Sequence, residues 1–290
     1  MRYATSQSVA NTAEHQNEKA SKGYNARQQE VGRIANEANQ NISSKKTPSS
    51  LLHKSPQPDQ NWTNRLGMKF VPIPGTKVLF GIYDVTFDEF KTFAKNDQHE
   101  QASTNWKNPG FPQENNHPVV NVSWDEAKAF CEWLTQKDQE SGLINNNQYY
   151  RLPTDEEWSI AVGRGSYPWG EQWPPPKGSG NFAPLLKVDD YEFTSPVGCF
   201  AANEYGLYDM GANVRQWCED WYVKEMNGAS VRDLVPDLNQ DGGGKKYKVI
   251  RGGSYKSEGS RSLITDIRIC GDPRDYSEAC GFRCVLVVSP

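Results

Sequence analysis

The chain has 290 residues, a formal net charge of -4 at pH 7 and 23% charged residues. Its Lys and Arg residues form no stripe interleaved with aromatic side chains, so the composition argues against a nucleic-acid partner. No apolar run approaches membrane-spanning length and no apolar segment follows the N-terminus, so we expect neither membrane association nor an export signal in the given chain. The cellular location stays open, with the cytoplasm favoured.

Residues 1–60 differ in composition from the rest of the chain, because Gln, Asn, Ser and Lys dominate and apolar residues are sparse. A segment of this kind buries too little apolar surface to fold alone. Between Asn11 and Gln40 the residues favour a helix, and Ser49–Pro58 is typical of a linker. We therefore expect a polar N-terminal arm over residues 1–60, disordered or helical on a partner, and one folded domain over residues 61–290.

The first half of that domain is predicted to contain two strands and three helices. Strand patterns joined by a Pro-Gly turn occupy Met68–Ile73 and Val78–Val85. A Ser or Thr followed three residues later by Glu forms a capping box, which begins a helix, and it occurs at Thr86/Glu89, Ser123/Glu126 and Thr154/Glu157. Apolar residues at helical spacing follow the first two boxes and are predicted to be core, namely Phe87, Phe90, Phe93 and Ala94, then Trp124, Ala127, Phe130, Cys131 and Leu134.

The second half shows strand patterns but no helical period beyond Gly163. Strand candidates cover residues 195–200, 246–255, 264–270 and 282–288. Tyr205–Tyr222 combines aromatic residues with turn-forming Gly, Asn and Asp, which predicts a packed, irregular backbone. Buried carbonyl groups in such a segment need a hydrogen bond or a cation.

Six motifs follow one another along the domain, namely His117–Trp124, Tyr150–Trp158, Tyr167–Gly170, Tyr205–Tyr222, Val249–Tyr255 and Cys280–Cys284. Together they resemble the formylglycine-generating enzyme or sulfatase-modifying factor family over about residues 62–287. The resemblance implies an α+β fold, an irregular and loop-rich variant of the C-type lectin-like fold with little regular secondary structure. A shared fold does not by itself imply the family's activity.

The resemblance also implies calcium as a structural cofactor. Calcium takes several oxygen ligands, mixed between side chains and backbone carbonyls. In the first of two sites common in the family, the matching residues are Asn181 and Asp189 through their side chains and Phe182 and Tyr191 through their carbonyls. The alternative for Asp189 is an ordinary turn carboxylate.

The second implied calcium site departs from the family pattern. It matches the side chains of Asp209 and Gln216 with the carbonyls of Ala212 and Val214. This chain has Gln216 where the family usually has Glu, and Arg215 where it usually has Trp. Both changes lower the affinity for a divalent cation, because one carboxylate is lost and a positive charge is added.

The copper chemistry of formylglycine-generating enzymes is not expected here. In those enzymes a pair of cysteines a few residues after a Gly-Gly-Ser motif binds copper, because thiolates suit that metal. Here the motif ends at Ser254, and no cysteine occurs before Cys270. Ser257 and Ser262 stand near the expected places, and a neutral hydroxyl is a poor copper ligand.

Iron is not expected either. Other members of the family are iron enzymes that rely on a separate histidine-rich helical region. This chain has 4 histidines, and none are three or four residues apart, so no helical pair of ligands forms from His15, His53, His99 and His117.

One cysteine pair carries over from the resemblance. Cys131 and Cys284 match two positions that form a disulfide in the animal formylglycine-generating enzyme, so we expect them to lie in contact. Their oxidation state stays open, because a disulfide implies an oxidising compartment and the given chain shows no export signal.

A surface near the missing cysteines is a candidate binding face. Non-catalytic relatives of this fold include variable proteins diversified by retroelements, whose variable side chains lie in the matching C-terminal segment. Charged and aromatic side chains on a loop-rich scaffold suit protein recognition, and a solvated surface is the alternative for each of them. The candidates, called the C-terminal loop surface below, are Arg215, Lys256, Glu258, Arg261, Arg274, Asp275, Tyr276 and Glu278.

These observations lead to the hypothesis of a non-catalytic, bacterial member of the family that works as a binding or assembly domain. Calcium stabilises it, the C-terminal loop surface contacts a protein partner, and the N-terminal arm is able to order on a partner. A metal-dependent oxidase of the formylglycine-generating type, acting on cysteine or thiol substrates, is the first alternative. A purely structural domain is the second.

Overall fold

A computed structural model describes residues 55–95, 105–223 and 246–288 of the chain. Most of the predicted N-terminal arm therefore lies outside the described residues. Within these ranges the backbone forms three α-helices and nine β-strands, with long irregular segments between them. The helices are α1 (Phe87–Ala94), α2 (Trp124–Glu140) and α3 (Asp155–Ala161). The strands are β1 (Trp62–Thr63), β2 (Lys69–Pro72), β3 (Val78–Gly81), β4 (Tyr149–Arg151), β5 (Arg215–Trp221), β6 (Lys248–Arg251), β7 (Arg268–Gly271), β8 (Cys280–Gly281) and β9 (Val285–Val287).

All three helices begin at their predicted capping boxes. At each one the Ser or Thr hydroxyl accepts a hydrogen bond from the Glu backbone N–H, and the Glu carboxylate accepts one from the cap N–H. The box satisfies two donors that the first helical turn leaves without partners, so the helix starts at a defined residue. In the described part of the chain, no helix combines the length and apolar character needed to cross a bilayer.

The first sheet has the strand order β1-β2-β3-β9-β4, and every neighbouring pair is antiparallel. Its last strand in sequence, β9, lies between β3 and β4. Leu286 of β9 pairs with Leu79 on one side and with Tyr150 on the other. Pro56, at the start of the described residues, also packs on this domain. It is buried, and its carbonyl accepts a hydrogen bond from Gln148 Nε2 at 2.9 Å.

The second sheet has the order β7-β6-β5-β8, and β5 runs parallel to β8. Strand β5 corrects the sequence prediction, which expected irregular backbone throughout Tyr205–Tyr222, because pairing with β6 and β8 overrides the local turn signal. The preceding residues 205–214 are irregular, as predicted. Residues 195–200 form turns and not the expected strand, since Gly198 has φ 74° and the Cys199 N–H bonds back to the Pro196 carbonyl.

The main core lies where the first two helices pack against the sheets. The ring of Phe90 lies 5.2 Å from Phe93, 6.0 Å from Phe130 and 6.2 Å from Phe282, between centroids. The residues predicted as core from helical spacing are buried, except Phe87 and Ala94, which are partly buried against the same cluster. These aromatic contacts supply much of the burial that a loop-rich domain needs.

Cys131 of α2 and Cys284 lie in contact inside this core, with their Sγ atoms 3.4 Å apart. Both are free thiols here, and both are buried. Burial and the neighbouring Cys131 raise the pKa of the Cys284 thiol well above its ordinary value. The expected contact is present, and the disulfide stays a prediction.

A cap deletion tests the role of the capping boxes. Thr154→Ala removes the hydroxyl that accepts the Glu157 N–H at 3.1 Å. We expect it to lower the free energy of unfolding by about 1 kcal/mol, measured by urea denaturation. Thr154→Ser keeps the hydroxyl and serves as the matched control, with stability close to wild type. An equal loss in both variants would show that the methyl group, not the cap, matters.

Thiol labelling tests the burial of the cysteines. Among the 6 cysteines only Cys199 is exposed. Burial raises the pKa of Cys280 to about 12, which leaves almost no reactive thiolate at neutral pH. A thiol reagent applied to the native protein should therefore label Cys199 alone, as counted by mass spectrometry. Labelling after denaturation without reductant reports on Cys131 and Cys284, because an oxidised pair lowers the count by two.

Candidate functional site

The first predicted calcium set comes together in the structure. The Asp189 carboxylate accepts two backbone hydrogen bonds, one from the Phe182 N–H at 3.0 Å and one from the Tyr191 N–H at 2.8 Å. Asn181 is fully buried, and its Nδ2 donates to the Phe193 carbonyl at 2.8 Å. Its Oδ1 is buried as well and has no hydrogen-bond partner.

This donor set fits a calcium ion. A buried amide oxygen without a partner and a nearby carboxylate are the hard oxygen ligands that calcium prefers. Asn181 and Asp189 would supply side-chain oxygens, and Phe182 and Tyr191 their carbonyls. A bound ion would neutralise the charge of the Asp189 carboxylate. It would also link the segment of Asn181 and Phe182 to the segment of Asp189 and Tyr191.

Asn213 belongs to this region and was missed by the sequence analysis. Its backbone N–H donates to the Asn181 carbonyl at 3.0 Å. Its side chain pairs with the backbone of Ser195 through two hydrogen bonds, each 3.0 Å long. Asn213 has φ 62°, a left-handed conformation that Asn adopts more readily than most residues. An Asn in the turn-rich part of Tyr205–Tyr222 was the only sequence signal for it.

The second predicted calcium set does not fit a cation in its present arrangement. Gln216 Oε1 already accepts hydrogen bonds from Trp158 Nε1 at 2.8 Å and from Arg283 Nε at 3.3 Å. The Ala212 carbonyl accepts one from the Val214 N–H at 2.7 Å. Because a guanidinium already holds the amide oxygen, a divalent ion bound there would face its positive charge.

Asp209 of the same set is buried and only half satisfied. Its Oδ2 accepts the Gly198 N–H at 2.9 Å, whereas its Oδ1 is buried without a hydrogen-bond partner. Burial raises the pKa of Asp209 to about 6, while the Gly198 hydrogen bond and the charge of Arg283 act to lower it. Asp209 also has φ 57°, so a tight turn holds its position.

Arg283 and Asp84 form a buried charge pair that the sequence analysis did not single out. The Arg283 guanidinium donates to the Gly81 carbonyl at 2.7 Å and to the Tyr208 carbonyl at 2.6 Å, and it lies 3.5 Å from Asp84 Oδ1. Burial raises the pKa of Asp84 to about 8, although Arg283 acts to lower it. The position of Arg283 inside the Cys280–Cys284 motif was the only available signal.

The positions expected for copper ligands hold engaged hydroxyl groups. Ser257 is buried, and its Oγ accepts the Ser254 N–H at 3.0 Å. The Ser262 Oγ donates to the Gly259 carbonyl at 2.8 Å. Across residues 55–95, 105–223 and 246–288, no three side chains of His, Cys, Asp or Glu come together as a metal-binding group. The residues at these positions do not fit copper.

The structure joins part of the predicted C-terminal loop surface. Lys256 forms an ion pair with Glu278, and the Tyr255 hydroxyl donates to the Glu278 carbonyl at 3.2 Å. Ala279, the residue after Glu278, accepts a hydrogen bond at its carbonyl from the Arg215 N–H at 2.9 Å. Arg215 is only half-buried as a residue, yet burial of its guanidinium lowers its pKa. These three candidates therefore converge on one loop.

The other candidates of this surface are exposed, namely Glu258, Arg261, Arg274, Asp275 and Tyr276. Arg274 pairs with Asp272, with Nε 3.1 Å from Oδ1. Tyr276 keeps 43% of its surface exposed, which is high for an aromatic residue in a folded domain. The loop thus presents charges and one aromatic ring to solvent.

Comparison with known proteins identifies relatives of this chain. A formylglycine-generating enzyme from Thermomonospora curvata is 32% identical over 201 residues, which are 62% of this chain and 60% of that protein. The inactive C-alpha-formylglycine-generating enzyme 2 of Bos taurus is 31% identical over 198 residues, 62% of this chain and 55% of that protein. Serine/threonine-protein kinase pkn1 of Chlamydia pneumoniae is 34% identical over 184 residues, 61% of this chain and 24% of that protein. The chain thus covers less than two thirds of each relative's length.

Solved structures agree with the fold. PvdO from Pseudomonas aeruginosa superposes with a TM-score of 0.59 at 20% identity, covering 81% of this chain and 100% of that one. Such a likeness supports the α+β, loop-rich fold of the formylglycine-generating type that the motifs implied. Residues 76–288 match the sulfatase-modifying factor enzyme 1-like domain, which is well over half of the sequence. This chain is therefore a member of the sulfatase-modifying factor enzyme 1-like family.

Proposed function

We propose that this chain is a non-catalytic member of its family and works as a binding or assembly domain. Its C-terminal loop surface is the contact for a protein partner, and calcium at Asn181 and Asp189 stabilises the scaffold. The observation that carries the proposal is the chemistry at Ser257 and Ser262, which stand near the places where the resemblance implies the copper-binding thiolates.

The hydroxyl groups of Ser257 and Ser262 form hydrogen bonds with the backbone. Ser257 Oγ is buried and holds the backbone of Ser254, and its carbonyl accepts the Ala183 N–H at 3.1 Å. A neutral hydroxyl with structural hydrogen bonds is neither a soft ligand nor a nucleophile activated by a base. Near the places where the resemblance implies thiolates, this chain thus has a buried, hydrogen-bonded Ser257 and a partly exposed Ser262.

The relatives support this reading without deciding it. One is named an inactive formylglycine-generating enzyme and another is named an enzyme, so the family contains both kinds. The residues of the site must therefore decide between them. In this chain the serines at positions 257 and 262 favour the non-catalytic kind.

The C-terminal loop surface has the properties of a recognition surface. The ring of Tyr255 lies 5.7 Å from Phe111 and 6.2 Å from Phe193, between centroids, so the base of the loop is packed and rigid. On that base the loop carries the Lys256–Glu278 ion pair and the exposed Tyr276. A rigid scaffold with exposed charges and an aromatic anchor loses little entropy on binding a protein.

Site-specific crosslinking tests the partner contact. We would place a photoreactive phenylalanine analogue at Tyr276 in the full chain, in cells of the source organism, and irradiate. A crosslinked complex of defined mass should form. The same analogue at Tyr149, exposed at 44% but on β4, is the matched control and should give no such complex. Equal crosslinking at both positions, or none at Tyr276, would contradict the proposed surface.

Charge-swap variants show whether the ion pair itself is recognised. Lys256→Glu breaks the pair with Glu278, and adding Glu278→Lys restores a pair with its charges exchanged. If the partner recognises the individual charges, the single variant and the double variant should both lose the crosslink. If the double variant regains the crosslink, the ion pair matters only because it holds the loop structure. Oxygen uptake with a thiol substrate by copper- or iron-loaded protein would instead support the oxidase alternative and defeat the non-catalytic assignment.

Calcium binding should raise the stability of the domain. At free calcium roughly 100-fold above the Kd, one bound ion adds about 2.7 kcal/mol to the free energy of unfolding. We expect a higher Tm with calcium than with chelator, and one ion per chain by elemental analysis. Asp189→Asn should remove the calcium-dependent shift, and Asp190→Asn, at the exposed neighbour, should keep it. A second bound ion per chain would reinstate the set that contains Gln216.

A further inference from the structure

A cavity of about 310 Å³ lies between residues 168–180 and residues 200–212, and no residue of the C-terminal loop surface lines it. Its walls include the apolar side chains of Trp169, Phe200, Leu207 and Met210. Ligand pockets span about 300–1,000 Å³ and are mostly apolar with a few polar groups. The cavity therefore has the size and lining of a site for a small organic molecule.

Two polar side chains in the lining lack partners. Asp209 and Ser179 both line the cavity, and the Asp209 Oδ1 and Ser179 Oγ atoms are buried without hydrogen-bond partners. A buried carboxylate oxygen without a donor is costly, so a ligand that brings a donor gains what the protein alone does not satisfy. The Gly198 N–H holds the other Asp209 oxygen at 2.9 Å and fixes the orientation of the carboxylate.

The buried charge at this cavity is negative. Arg283, a buried cation, helps to keep Asp209 ionised, since its charge acts to lower the pKa of Asp209, while its own hydrogen bonds go to Gly81, Tyr208 and Gln216. Lys177 also lines the cavity, but it is exposed, so water and salt screen its charge. A cationic donor is thus favoured over an anion, because burial strengthens the field of the carboxylate more than that of the exposed ammonium.

The walls are rigid before any ligand arrives. The Trp169 ring stacks on Tyr167 with centroids 4.9 Å apart and planes 4° from parallel. Gly180 is packed so closely that a Cβ there would lie 2.7 Å from the Ala212 Cβ. A site that is already ordered loses little conformational entropy on binding.

We propose that this cavity binds a small primary amine with an apolar body. Its ammonium group donates to the Asp209 carboxylate and the Ser179 hydroxyl, and its apolar part packs against Trp169 and Phe200. The assignment is independent of the protein partner and of the first calcium set, since neither contributes a lining residue. The cavity does share Asp209 and Ala212 with the second implied calcium set, which does not fit a divalent cation in this arrangement.

Three probes of matched shape test the charge preference. We would titrate the full chain with phenethylamine, phenethyl alcohol and phenylacetate by isothermal calorimetry and saturation-transfer NMR. Phenethylamine should bind saturably, at least about tenfold more tightly than the alcohol or the anion, because a charged hydrogen bond is at stake. Equal affinity for the three probes, a preference for phenylacetate, or no saturable binding of the amine would overturn the proposal.

Variants locate the binding in the cavity. Asp209→Asn keeps the shape and removes the charge, and it should weaken phenethylamine at least about tenfold. Ala202→Leu fills the cavity without touching the carboxylate, so it keeps the test informative if Asp209→Asn fails to fold. Asp266→Asn, at an exposed residue outside the lining, is the control and should bind like wild type. Amine binding that survives both cavity variants would show that the cavity is not an amine site.

Discussion

The rest of the domain depends on the hydrogen bonds that the buried guanidinium of Arg283 donates. It lies in the segment between β8 and β9 and donates to the Gly81 carbonyl of β3, to the Tyr208 carbonyl and to the Gln216 side chain of β5. One side chain thus ties the two sheets to the irregular segment that precedes β5. A fully buried cation is tolerated only where other groups satisfy its donors, and here carbonyl and amide oxygens accept them while Asp84 Oδ1 lies 3.5 Å away. The backbone around it is therefore constrained to a few arrangements that keep every donor paired.

Local signals predicted the helices well, because their causes are local. Each capping box operates within four residues, and the spacing of Phe90 and Phe93 in α1 and of Phe130 in α2 marks the buried faces directly. The family motifs predicted the fold, because several motifs in the order typical of the family imply the family's topology. The same motifs implied a calcium set, which stays a prediction. Within it, the Asp189 carboxylate accepts hydrogen bonds from the N–H groups of Phe182 and Tyr191.

Distant pairings explain what the sequence did not reveal. Strand β5 takes its structure from β6 and β8, which come later in the chain, so the turn residues before it misled a reading based on periodicity. The same holds for buried polar groups. The Gln216 side-chain oxygen is not free for a metal because Trp158 and Arg283 donate hydrogen bonds to it. Both residues are distant in sequence, so no local pattern predicts these contacts. The cavity beside Asp209 is likewise a product of two segments meeting, and composition gives no sign of it.

The position of β9 has a consequence for how the domain is made. Strand β9 lies between β3 and β4 and follows both in the chain, so the edges of β3 and β4 that face it stay unpaired until β9 has been synthesised. Until then two hydrophobic strand edges stay open, which exposes the nascent chain to pairing with other chains. The many contacts of high sequence separation also predict slow folding. Insertion of β9 is therefore the step that completes the first sheet, and a chaperone that shields the open edges would find its substrate here.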